Sequence, residues 1–106
     1  MICDRAGVAP AFLAADDRVA IARDFRATNF PINGLRHPPH GSMCGWYVWS
    51  GRDLSDDPDL FVVTCYKHLD DEAASWAKYL ALPAGWRFLT APGYDDVWFD
   101  ASILQI

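Results

Sequence analysis

The 106-residue chain has no apolar run approaching the roughly 18–20 residues that a bilayer-crossing helix needs. Its opening stretch, MICDRAGVAPAFLAADDR, sets Asp4 and Arg5 where a secretory signal would hold a basic patch and then continuous apolar residues. The expectation is a cytoplasmic protein that neither crosses nor binds a membrane. Cysteine is scarce: Cys3, Cys44 and Cys65 form an odd set with no CxxC. That argues against a disulfide framework or a zinc ribbon and leaves small packed thiols in a reducing compartment. There is no phosphate-cradling glycine loop and no GxSxG nucleophile elbow.

Basic residues are thin where acids are dense. Residues 37–106 carry four basic and ten acidic side chains, and nine of those ten are aspartate. Residues 1–36 carry five basic and four acidic groups, so the net charge of -5 belongs to the C-terminal two-thirds. Such a surface repels phosphate, which argues against nucleic acid, and steers a basic partner.

What is present is apolar and aromatic. Just over half of the residues (52%) are hydrophobic and 14% are aromatic, ample for one domain over residues 1–106. Residues 1–35 read as a variable, alanine-rich lead-in and residues 36–106 as the core. In PAFLAADDRVAIARDF an imperfect stripe through Phe12, Leu13, Val19, Ala20 and Phe25 predicts a helix near 11–26. Prolines in the stretch Pro31 to Gly45 argue for a connection there.

Trp46-Tyr47-Val48-Trp49 and Leu60 to Cys65 are short β-branched or aromatic runs bounded by Gly, Pro and Asp, the pattern of strands. The short linker between them predicts antiparallel neighbours. Leu69, Ala73, Trp76 and Leu80 then fall on one helical face, with Asp70, Asp71 and Glu72 in its first turn. Trp86 to Thr90 and Val97 to Asp100 read as two more strands around a turn at 91–96. The expected fold is α+β: a small antiparallel sheet with one or two helices packed on it, ββαββ in the C-terminal two-thirds.

Three constellations could carry chemistry. His37, His40 and Cys44 could ligate a metal, but two prolines between the histidines deny helical spacing. Cys65 and His68 could pair as thiol and base, but acids nearby in sequence disfavour a thiolate. Ser55 to Asp59 clusters carboxylates without the spacing of a calcium loop. No cofactor, metal or catalysis is expected.

A set of motifs carries a resemblance. Arg36-His37-Pro38-Pro39 is followed by Gly45-Trp46, an aromatic strand ending in Ser50-Gly51, and an acidic DDP loop. Tyr79-Leu80, Leu82-Pro83-Ala84-Gly85 and Val97-Trp98-Phe99-Asp100 complete it. Over roughly residues 36–100 this resembles the immunity protein 33 family, small cytoplasmic domains of bacterial polymorphic toxin systems. The resemblance implies a non-enzymatic binding protein that neutralises a cognate toxin domain. It also implies a family N-terminus that begins with a strand, of which Met1 to Asp4 would be the remnant.

A toxin that attacks nucleic acid would be basic, which suits an acidic inhibitor with aromatic anchors. The expected contacts are Trp49, Asp53, Asp56, Asp57, Asp59, Tyr94, Asp95 and Asp96. Trp46, Trp86, Phe88 and Trp98 are assigned to the core. The alternative is a cytoplasmic module that binds a non-toxin protein or a small ligand such as a carbohydrate.

Overall fold

The alanine-rich lead-in contributes a strand to the middle of the sheet. In RVAIA, β-branched Val19 and Ile21 face one side and Ala20 and Ala22 the other, so the residues follow a period of two. The helix expected over 11–26 is replaced by strand β1, Arg18–Ala22. A turn precedes it: Ala14 N–H donates to the Asp17 carboxylate at 2.7 Å, and Asp17 N–H donates to Ala14 O at 3.0 Å. Side-chain capping of this kind competes with helix formation.

The computed structural model describes residues 2–26, 28–41, 43–51, 60–68 and 76–104. Helix α1 spans Ile2–Ala6, where the resemblance implied a strand remnant. The further strands are β2 (Ile32–Arg36), β3 (Met43–Ser50), β4 (Phe61–Cys65), β5 (Trp86–Ala91) and β6 (Tyr94–Phe99). They form one six-stranded sheet in the order β4-β1-β3-β2-β5-β6. All neighbours are antiparallel except β1 and β3, which run parallel, so the sheet is mixed.

Two expectations about this sheet are corrected. β3 and β4 are not neighbours, because β1 lies between them and pairs with both. Interior strands are flanked on both sides, and the uninterrupted apolar run of β1 suits that slot. The stretch Pro31 to Gly45 is not all connection, since it contains β2, which sits between β3 and β5. Its prolines stand outside the strand, at 31, 38 and 39.

One sheet face carries the core. Val19, Ile32, Trp46, Val48 and Phe88 bury against Cys3 of α1 and against Trp76, Tyr79, Leu80 and Leu82. Tyr79 stacks on Phe88 with ring centres 4.6 Å apart, and Trp46 meets Phe88 at 5.5 Å. Gly34 lies under the Phe88 ring, in the space a β-carbon would need. Of the helix expected from Leu69, residues 69–75 lie outside the described residues. Ala77–Tyr79 form a 3₁₀ turn, with Trp76 and Leu80 buried as their spacing predicts.

Arg36 ties this face together. Its Nε donates to Cys44 O at 3.0 Å, and its Nη1 donates to Ala11 O at 2.9 Å and Leu82 O at 2.8 Å. Burial lowers its pKa. The charge is tolerated because backbone carbonyls from three separate segments solvate it in place of water.

Candidate protein-binding surface

The hairpin of β5 and β6 presents part of the expected contact surface. Its two-residue loop is Pro92-Gly93, with Gly93 at φ +74°, the left-handed position of a type II turn. On β6 successive side chains alternate, so Tyr94, Asp96 and Trp98 share the face away from the core. Tyr94 is 58% exposed, and Asp96 is exposed beside it. On the same face Arg87 sits across from Trp98 and Leu89 across from Asp96. The Arg87 guanidinium lies 5.3 Å from the Trp98 ring centre, and its Nη1 donates to Asp100 at 3.2 Å. Hydrogen bonds from Ser102 and then Arg87 hold the Asp100 carboxyl below the usual carboxylate range. Of two tryptophans that the sequence assigns to the core, Trp86 is half-buried and packs against the core cluster, whereas Trp98 is half-buried on the outer face.

Asp95 points the other way. Tyr79 Oη donates to Asp95 Oδ2 at 2.6 Å, and Arg5 Nη1 donates to the same oxygen at 3.0 Å. These bonds, Tyr79's first, lower the Asp95 pKa, while burial and then the Asp95 bond raise that of Tyr79. The carboxylate therefore joins α1 and the 3₁₀ turn to the outer strand β6. Trp49, expected at the surface, is only 6% exposed. It packs with Ala22, Leu60, Phe25, Leu35 and Phe61, whose side chains close over the indole on that face of the sheet. An anchoring role that needs Trp49 in the open is corrected on that ground.

Asp53, Asp56, Asp57 and Asp59 lie outside the described residues. The strand they lead into, β4, is at one edge of the sheet, and β6 is at the other. Five inter-strand steps separate those edges, about 24 Å at the usual spacing. The Tyr94 side and the β4 side are thus two separate flanks of the sheet.

His37, Cys44 and Cys3 have structural partners, and the carboxylates of Ser55 to Asp59 lie outside the described residues. His37 Nδ1 is 2.8 Å from Ile103 O, and since a carbonyl only accepts, the ring carries its proton there. Cys44 Sγ donates to Arg18 O at 3.2 Å and Cys3 Sγ to Ala81 O at 3.5 Å. Burial pushes both thiols up, which disfavours the nucleophilic thiolate. Among the described residues no group of three His, Cys, Asp or Glu stands in position to hold a metal ion. No helix among them is long and apolar enough to cross a membrane. An apolar groove of about 290 Å³ opens between Phe12, Leu13, Tyr66 and Leu80, with Lys78 on its wall.

Sequence reasoning missed the apolar outer edge, where Val62 and Val63 are 44% and 51% exposed. A β-branched run reads the same whether its strand is interior or terminal, and only topology separates the two. No curated protein and no solved structure matches the chain. A family description does: the Imm33-like domain matches residues 1–100, so the match takes in the lead-in as well as the motifs from Arg36 onward. The chain belongs to the Imm33-like family.

Proposed function

We propose that this protein is an immunity protein that binds a cognate toxin domain and blocks it without catalysis. Membership of the Imm33-like family carries the reading. The charge distribution supports it, since a net charge of -5 concentrated after residue 36 would steer a basic domain. The toxin is the partner; nucleic acid, membrane and cofactor have no part in the reading. Cytoplasmic residence follows, because the producer must be protected where its toxin would act.

The test is titration of the purified chain with the toxin domain encoded beside it, at two salt concentrations. A one-to-one complex whose association slows with salt supports the reading. Stoichiometric mixing with no complex, under conditions where both proteins are folded, contradicts it.

A further inference from the structure

β6 places Tyr94, Asp96 and Trp98 on the face away from the core, and Asp100, just past the strand, reaches Arg87 on that face. An aromatic ring is thus followed two residues on by a carboxylate twice: Trp98 with Asp100, and Tyr94 with Asp96. The first pair shows what the arrangement holds. The hairpin register sets Arg87 across from Trp98. Its guanidinium lies 5.3 Å from the indole centre, while Nη1 donates to Asp100 Oδ2 at 3.2 Å. Ring and carboxylate between them take what a guanidinium offers, a flat cationic face and N–H donors at its rim.

The second pair is built alike but faces no cation. Ala91 stands across from Tyr94, and Leu89 across from Asp96. Among the described residues no Lys or Arg pairs with Asp96 or lies over the Tyr94 ring. The neighbouring acids are engaged: Asp95 holds Arg5 and Tyr79, and Asp100 holds Arg87 and Ser102. Asp96 is therefore the one charge on β5 and β6 without a counterion among the described residues. Tyr94 is 58% exposed and Asp96 is exposed beside it, so both are open to a group from outside.

We propose that Tyr94 and Asp96 form a seat for an arginine side chain of a partner protein. Its guanidinium lies on the phenol ring and pairs with the carboxylate, as Arg87 does with Trp98 and Asp100. Lysine fits less well, since an ammonium has no flat face to lay on the ring. The proposal rests on the immunity reading for the identity of the partner, but its chemistry can be tested without the toxin. The probe is a capped peptide, Gly-Ser-Arg-Ser-Gly, followed through the backbone amide shifts of the full chain at low salt. Two counterparts carry lysine, which keeps the charge, or citrulline, which keeps the planar shape without it.

The arginine peptide should shift residues 89 and 94–98 saturably and bind about two- to fivefold tighter than the lysine peptide. The citrulline peptide should shift nothing. Asp96→Asn should weaken both cationic peptides about two- to fivefold, and Tyr94→Ala should bring arginine down to lysine. Both variants should melt near wild type, because both side chains are exposed. No saturable shift, an equal response to citrulline, or shifts centred outside the β5–β6 hairpin overturns the proposal. So does an affinity unchanged in Asp96→Asn. Saturation of the same residues by maltose, with none by the arginine peptide, would assign the seat to a carbohydrate and overturn it too. In a growth-protection assay against the toxin, failure of the wild-type chain refutes the immunity reading alone. Protection by the wild type that is undiminished in Tyr94→Ala with Asp96→Asn refutes the arginine seat alone.

Discussion

Tyr79 donates its hydroxyl hydrogen to Asp95 Oδ2 across 2.6 Å, linking a fully buried ring to the outer strand of the sheet. Arg5 reaches the same oxygen from α1 at 3.0 Å, so three elements distant in sequence meet at one carboxylate. Asp95 had the look of a contact residue in the sequence because it lies in an acidic turn. The strand's alternation turns Asp95 toward Tyr79 and Arg5, with its side chain 30% exposed, while Asp96 faces out.

Asp95 is depressed in the folded state, so its contribution is present above the ordinary carboxylate range and is lost as pH falls through the folded value. Tyr79 is raised, so its contribution is present below the ordinary phenol range and is lost as pH rises toward its folded value. The link should therefore stabilise the fold from about pH 4 to about pH 10. Tyr79→Phe should cost about 1–2 kcal/mol at neutral pH by leaving Asp95 short of a donor. Melting temperatures from pH 2 to 11 check this, and the variant's curve should converge on wild type toward the acid limit.

Arg36 should be the most sensitive charged position in the chain. Arg36→Met keeps much of the side-chain volume but leaves Cys44 O, Ala11 O and Leu82 O without their donor. A loss of about 1–3 kcal/mol is expected for each carbonyl left buried without a donor. Arg36→Lys should recover only part of it, since one ammonium cannot reproduce the guanidinium fork. Chemical denaturation of the two variants tests the ordering.

Gly34→Ala puts a methyl group where the Phe88 ring lies. Displacing that ring also disturbs its stacking on Tyr79 and its contact with Trp46. Overpacking of this kind should cost about 1–3 kcal/mol. Gly34→Ala with Phe88→Leu should be less destabilised than the sum of the two single variants, because the smaller side chain can yield the space.

How the strands were legible follows from what flanks them. β5 and β6 stand out because aromatic runs are separated by Pro92-Gly93, and β3 because Trp46 to Trp49 is an aromatic run opened by Gly45. β2 was hidden. Its residues, Ile-Asn-Gly-Leu-Arg, contain one glycine needed beneath Phe88 and one arginine whose charge is solvated by carbonyls from other segments of the chain. Neither reason exists in the local sequence. β1 reads as a helix in the sequence because alanine fits both periodicities, and what decides for a strand is its pairing with β3 and β4. The family was legible from the motifs after Arg36, and the match to residues 1–100 bears the resemblance out. The contact surface was less so: Trp49 is enclosed by its neighbours, and Asp53, Asp56, Asp57 and Asp59 lie outside the described residues.

The central claim is protection, and growth measures it most directly. The reading frame beside this one is expressed inducibly in a bacterial host, with and without this chain. The account predicts killing by the neighbour that this chain alone reverses, with protection retained in Gly34→Ala at permissive temperature and weakened in Asp96→Lys with Tyr94→Ala. Killing that persists while both proteins are soluble and folded would contradict it.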